Sequence, residues 1–195
     1  MKTNSPPASG PPGASSPRTL LLAVALIAAV VLVYWNSLRV PFLFDDSGAV
    51  TDNPTIRQLG SLNVLSPPTD GSTTTGRPIA NLSFALNYAI SGERVGSYHA
   101  LNIAIHALAA LALMGLVRRT LVAPVLRERF GAAAPSLAFL IALLWALHPL
   151  QTESIVSIAQ RTESLCALFY LLTLLGFVCA VEPSGSAAGL PAWAW

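Results

Sequence analysis

Charge is scarce in this chain: of 195 residues only 10% are Asp, Glu, Lys or Arg, against about 25% in a soluble domain. Too few polar side chains are present to coat a globule of this length, which excludes an ordinary soluble domain. Disorder is excluded by the opposite bias. It needs low hydrophobicity with high net charge, whereas 53% of these residues are hydrophobic and the mean hydropathy is +0.60. A membrane protein is the remaining class. The net charge of +2 is too small, and the basic residues too scattered, for the stripe of a nucleic-acid binder. Only two cysteines occur, Cys166 and Cys179, in one apolar run expected to be a single helix, where they cannot reach each other to form a bridge. No closely spaced set of His, Cys and carboxylate residues marks a metal centre. Phosphate-loop spacing is absent too, and the Ser-, Pro- and Gly-rich stretch 66–76 reads as a flexible linker.

What the chain does have is long apolar runs. Residues 1–18, rich in Pro, Ser and Gly, are expected to form a disordered tail. Residues 19–38 then run without a charge until Leu38, long enough at 1.5 Å per residue to cross a hydrocarbon core of about 30 Å. This run is too long for a cleaved signal peptide and ends in Tyr34 and Trp35, an interfacial pair rather than a cleavage pattern. Further runs at about 98–117, 130–147 and 164–181 predict an all-α bundle of about four spans, with residues 182–195 as a closing loop. The connection after the second span carries Arg118, Arg119, Arg127 and Arg129 against Glu128, which by the positive-inside rule faces the cytoplasm. Alternation then puts the N-terminus in the cytoplasm and both the 39–97 loop and the 149–163 segment outside.

Polar residues gather on that outer side. Val40-Pro41-Phe42-Leu43-Phe44 leads into Asp45 and Asp46, two adjacent carboxylates just beyond the membrane boundary. Arg77-Pro78 opens a predicted amphipathic helix, with Ile79, Leu82, Leu86 and Ile90 on one face and Phe84 and Tyr88 on the other. Such a helix would turn one face to the lipid interface and one to the protein. In the second span His99, Asn102 and His106 share a face; interhelical hydrogen bonding and a functional role are both open, and His99 is the one expected nearest a ligand. Pro149 should end the third span and leave His148 at the surface. Beyond it Glu153, Ser157, Gln160 and Ser164 read as a polar stripe at helical spacing, flanked by Arg161 and Glu163. Asn81-Leu82-Ser83 matches a short glycosylation pattern that occurs often by chance.

The strings FLFDD, GRPI-x-NLSFALNY, YHALNIAIHAL and ALHPLQTESIVSIAQRTESL, in this order, resemble the N-terminal membrane region of the transmembrane and tetratricopeptide-repeat family, whose eukaryotic members are endoplasmic-reticulum protein O-mannosyltransferases and which has bacterial relatives. The likeness covers roughly residues 39–181. Leu150 and Gln151 stand where the family often has valine and histidine, and the first loop lacks the usual tryptophans. The repeats and later spans are not in this sequence, which is expected to be a truncated piece. The resemblance implies a glycosyltransferase of the GT-C fold that moves a sugar, such as mannose, from a polyprenyl-phosphate donor to a hydroxyl of a protein or glycan acceptor. It implies no definite cofactor and leaves a divalent metal open.

Such chemistry needs a base to take the acceptor proton and positive charge for the leaving phosphate. Asp45 and Asp46 are the candidates for the base, Asp45 ahead. Arg77 and Arg161 are the candidates for the phosphate, since a guanidinium fork matches its oxygens. His148 and Glu153 would help bind donor phosphate or sugar, with His99, Asn102, His106 and Glu163 in support. A bacterial inner membrane is the expected location ahead of the endoplasmic reticulum. The competing class is a non-enzymatic four-span scaffold or an inactive fragment.

Overall fold

The computed structural model describes residues 17–181; the expected tail up to residue 16 and the closing loop at 182–195 lie outside them. Seven α-helices follow in order: α1 Pro17–Tyr34, α2 Pro78–Ser91, α3 Val95–Val122, α4 Pro124–Phe130, α5 Ala134–Ala146, α6 Thr152–Val156 and α7 Arg161–Val181. No strand occurs among the described residues. The protein is an all-α, multi-span membrane bundle.

Three unbroken helices are long and apolar enough to cross a bilayer: Pro17–Arg39, which adds a 3-10 turn to α1, then Val95–Val122 and Arg161–Val181. The remaining expected span, 130–147, is shorter and bent. Helix α5 has 13 residues, about 20 Å, and meets α4 at 94°. The break has local causes. Gly131 packs so tightly that an added Cβ would lie 2.6 Å from the Arg127 carbonyl oxygen, and Pro135, at the start of α5, has no N–H to continue the preceding helix.

Helix α3 is the axis of the bundle, packed against α1, α5 and α7. Its contacts with α1 and α5 form a core of Leu26, Val30, Tyr34, Ile103, Ala107, Ala110, Met114, Ala138, Ala142 and Ala146. Ala138, Ala142 and Ala146 recur every fourth residue on one face of α5 and are fully buried, which lets the helix backbones approach closely. Helix α5 ends inside this core. The Ala146 carbonyl, which has no partner within its own helix, accepts from the Tyr34 hydroxyl at 3.2 Å and from His106 Nε2 at 2.9 Å. The His106 ring also stacks on Trp145 and meets Tyr34 edge-on.

At one end of the bundle Arg18 donates to Ser136, joining the starts of α1 and α5. At the other end, residues 40–77 and α2 form a packed cap. Short helical turns at Ser47–Thr51, Pro54–Ile56 and Leu62–Leu65 bring Ala49, Val50, Ile56 and Val64 onto Phe84, Ala85, Tyr98, Ile158 and Ala159. Asn81 is sealed beneath them: its amide nitrogen donates to Thr55 Oγ1 and the Val64 carbonyl, and its oxygen accepts from Asn53. A fully buried Asn81 is no acceptor for a glycan in this fold. The stretch 66–76, read as a flexible linker, is pinned instead. Thr75 donates to the Pro68 carbonyl, and Asp70 accepts from the Ser72 N–H, a hydrogen bond that holds the Asp70 carboxyl below its ordinary value. Helix α2 takes most of the orientation its pattern predicts, with Phe84 fully buried and Ile79, Leu86 and Ile90 exposed; Leu82, expected on the outward face, is instead half-buried against the cap core.

The α5 packing gives a direct test. Ala142→Leu should overpack the face against α3 and lower stability by about 1–3 kcal/mol, seen as a lower unfolding temperature in detergent micelles. Leu144→Ala, on the exposed face of the same helix, should leave that temperature unchanged.

Candidate functional site

A cavity of about 680 Å³ opens where the first-loop segment 40–46 meets residues 149–160. Asp45 and Glu153, both exposed, line it together with Thr152, Ser157 and Gln160, against an apolar side made by Val40, Leu43, Phe44, Pro149 and Val156. The carboxylates come from segments more than a hundred residues apart and meet because of one contact. Asp46 is 2% exposed; its Oδ1 accepts from the Ala159 N–H at 2.7 Å and its Oδ2 from the Leu43 N–H at 3.1 Å. Both acids border the cavity, and environment distinguishes them: Asp46 is buried and ties the loop to the segment before α7, whereas Asp45 is exposed.

The turn that separates them is unusual. Phe44 has φ +46°, a left-handed conformation that costs an L-residue about 1–2 kcal/mol. It is held by Asp46 N–H donating to the Leu43 carbonyl and Ser47 N–H donating to the Phe44 carbonyl. Behind the loop, His99 Nε2 donates to the Val40 carbonyl at 2.9 Å, so this histidine steadies the loop from beneath, buried away from any ligand. Its Nδ1 is buried with no hydrogen-bond partner among the described residues.

Arg161 is fully buried. Its Nε donates to Asn102 Oδ1 at 2.7 Å, one terminal nitrogen to the Ser83 carbonyl at 3.2 Å and the other to the Tyr98 carbonyl at 3.0 Å. The guanidinium also lies 4.4 Å from the centre of the Phe84 ring, a favourable cation–π contact. In this arrangement it joins α2, α3 and α7 and presents no face to the cavity. Asn102 completes the junction by donating to the carbonyls of Ile155 and Ser157. Asn102 and His106 are therefore engaged as interhelical hydrogen-bonding groups.

The other expected site residues stand apart from the cavity. Arg77 donates to the Thr73 carbonyl and Thr162 Oγ1 and forms a half-exposed ion pair with Glu163 at 3.4 Å. It borders a separate groove with Ile79, Leu165, Cys166 and Phe169. Glu163 borders another, with His106 and Trp145. His148 is exposed, and its Nδ1 accepts from the Leu150 N–H, capping the turn at Pro149. The expected polar stripe is broken: α6 stops at Val156, with Ser157 extended at ψ 123°, so Glu153 reaches the cavity from α6 and Ser157 and Gln160 from the irregular segment after it, while Ser164 donates to the Ser154 carbonyl. Among the described residues no group of three or more His, Cys, Asp or Glu is arranged to hold a metal. Sequence spacing carries no signal for the Asp46–Ala159 contact or for the left-handed Phe44, because both depend on chain segments meeting in the fold.

The two arginines differ in a measurable way. Arg161 is fully buried, where hydrogen bonds from a charged group contribute about 1.5–3 kcal/mol each; Arg77 is half-exposed, so water can replace its bonds to Thr73 and Thr162 and its ion pair contributes about 0–1 kcal/mol. Arg161→Gln should therefore lower the unfolding temperature in micelles sharply, and Arg77→Gln should lower it little.

Comparison with known proteins returns protein O-mannosyl-transferases. The mouse protein O-mannosyl-transferase TMTC3 is 32% identical over 177 residues, which cover 86% of this chain and 18% of the relative. Mouse protein O-mannosyl-transferase TMTC1 is 34% identical over 165 residues, 80% of this chain and 16% of the relative. The human TMTC4 enzyme of the same name is 34% identical over 178 residues, 83% of this chain and 24% of the relative. No family model matches, and no solved structure does. The chain spans about a fifth of the length of the curated relatives it matches, and over that segment it belongs to the transmembrane and tetratricopeptide-repeat family of protein O-mannosyl-transferases.

Proposed function

We propose that this chain carries the acceptor-activating part of a membrane glycosyltransferase, which moves a sugar from a polyprenyl-phosphate donor to a hydroxyl. The names of the relatives support mannose as the sugar and a protein as the acceptor. The observation that carries the reading is Asp45, an exposed carboxylate in a cavity of about 680 Å³ that also presents Glu153, Gln160, Ser157 and Thr152. In the proposed step Asp45 takes the proton of the acceptor hydroxyl as its oxygen attacks the anomeric carbon. The bond from that carbon to the donor phosphate breaks, its electron pair leaves with the polyprenyl phosphate, and configuration inverts in one displacement. Glu153 and Gln160 are the groups placed to hold sugar or acceptor hydroxyls.

Asp46 is proposed as a positioning residue, since both its oxygens are engaged by backbone N–H groups. The cavity lining includes no Arg, Lys or His, so the positive charge that the leaving phosphate requires comes from beyond these residues. Arg77 is the more accessible of the two arginines for that role, provided its contact with Glu163 opens. Charge distribution supports the outer side of the membrane for the cavity, opposite the arginine-rich connection between α3 and α5. The named relatives come from animals, which gives the bacterial inner membrane no support over the endoplasmic reticulum.

The test is transfer of labelled mannose from polyprenyl-phosphate mannose to a Ser/Thr peptide, in membranes carrying the protein expressed from its natural gene. Asp45→Asn should reduce turnover by about 10²- to 10⁴-fold with the unfolding temperature unchanged. Asp46→Asn should lower activity and unfolding temperature together, because an amide nitrogen would face a backbone donor. Full transfer by Asp45→Asn overturns the assignment of the base. No transfer by the unaltered protein from several lipid-linked sugars favours the non-enzymatic membrane scaffold.

A further inference from the structure

The rim of the cavity is apolar and faces outward. Phe44 is 93% exposed, Leu150 81% and Leu43 48%, and they come from two segments remote in sequence that meet at this one opening. Leu43 and Phe44 line it directly, while Leu150 follows the lining residue Pro149. Each lies close to the end of a helix of the membrane bundle: Leu43 and Phe44 four and five residues past the span that ends at Arg39, and Leu150 four residues past Ala146, where α5 ends.

Exposed apolar side chains of this size, clustered and rimming a polar hollow, mark an interaction surface. Phe44 adds a second observation. Its left-handed backbone is strained for a bulky residue, and such strain persists where surroundings compensate for it. Within the chain the hydrogen bonds of Asp46 and Ser47 hold the backbone, but the side chain that this turn projects is almost wholly exposed and is left without packing. Continuity with the membrane-crossing helices points to lipid as what covers it. At a few residues beyond a span the chain is at headgroup depth, where aromatic and apolar side chains are stabilised.

We propose that Leu43, Phe44 and Leu150 form a lip embedded in the interfacial layer of the bilayer, so that the cavity beside Asp45 opens at the boundary between lipid and water. The left-handed turn at Phe44 is the device that points this side chain away from the protein and into lipid. The inference stands apart from the glycosyltransfer reading, since a lip of this kind would serve any amphiphilic ligand of the cavity.

The experiment uses the full chain with Cys166→Ser and Cys179→Ser, reconstituted in vesicles of phosphatidylcholine with phosphatidylglycerol. Single cysteines are introduced as Phe44→Cys, Leu150→Cys and, on an exposed turn of the cap, Asp70→Cys, and each is labelled with an environment-sensitive nitrobenzoxadiazole dye. The labels at 44 and 150 should emit at shorter wavelength than that at 70. They should also be quenched more by shallow nitroxide-bearing lipids than by aqueous iodide, with the order reversed at 70. Leu150→Cys keeps Phe44 intact and reads the lip even where Phe44→Cys disturbs the turn. Adding Phe44→Gly, which relieves the backbone and removes the ring, should raise iodide quenching at 150. Iodide quenching at 44 and 150 equal to that at 70 overturns the proposal. Shielding that varies with the ratio of protein to lipid also overturns it, by assigning the surface to a second copy of the chain.

Discussion

A guanidinium shut away from water must find acceptors for its N–H groups inside the protein, since an unmet buried charge costs several kcal/mol. Arg161 finds three neutral oxygens and two aromatic faces, and in doing so fixes where α2, α3 and α7 sit relative to one another. Its partners are themselves constrained. Asn102 spends its oxygen on Arg161 and its amide hydrogens on residues 155 and 157, so the segment before α7 is held by the same junction. Two residues earlier, Ala159 donates to Asp46. The cavity is therefore a consequence of Arg161 at one remove: the arginine places the segment, the segment places Asp46, and Asp46 places Asp45.

The polar groups of the spans thus have an architectural use on the inner side of the cap. His106 and Tyr34 close the end of α5, His99 supports Val40, and Asn102 orients Arg161. Each satisfies a group that lipid could not, which is the condition for irregular backbone at membrane depth. The exposed carboxylates Asp45 and Glu153 lie above this layer and line the cavity.

Much of the bundle was legible from the chain because the relevant signals are local. The apolar runs at 19–38, 98–117 and 164–181 fall within helices long and apolar enough to cross a membrane, and the faces of α2 follow its spacing at Phe84, Ile79, Leu86 and Ile90 but not at Leu82, which packs inward. The site was legible in part. Asp45 and Glu153 were both singled out by their position on the polar side of the bundle, and the fold brings them to one cavity. Arg161, Arg77 and His148 were chosen for their chemistry, but residue type does not reveal whether an arginine is sealed under Phe84, paired with Glu163, or, for a histidine, turned back to cap its own chain. Nor does helical spacing survive the break at Ser157. These outcomes depend on partners tens of residues away, which one-dimensional periodicity does not record.

The shortness of α5 has a further consequence. Its last residue, Ala146, lies level with His106, about 16 Å along α3 from the start of that helix. The chain from 147 to 160 must climb the rest of the way without forming a long helix. Irregular backbone at that depth requires water or protein beside it, and here it lines the cavity. Because the residues that follow α5 line the cavity, the length of this one helix sets how far down the bundle that hollow begins.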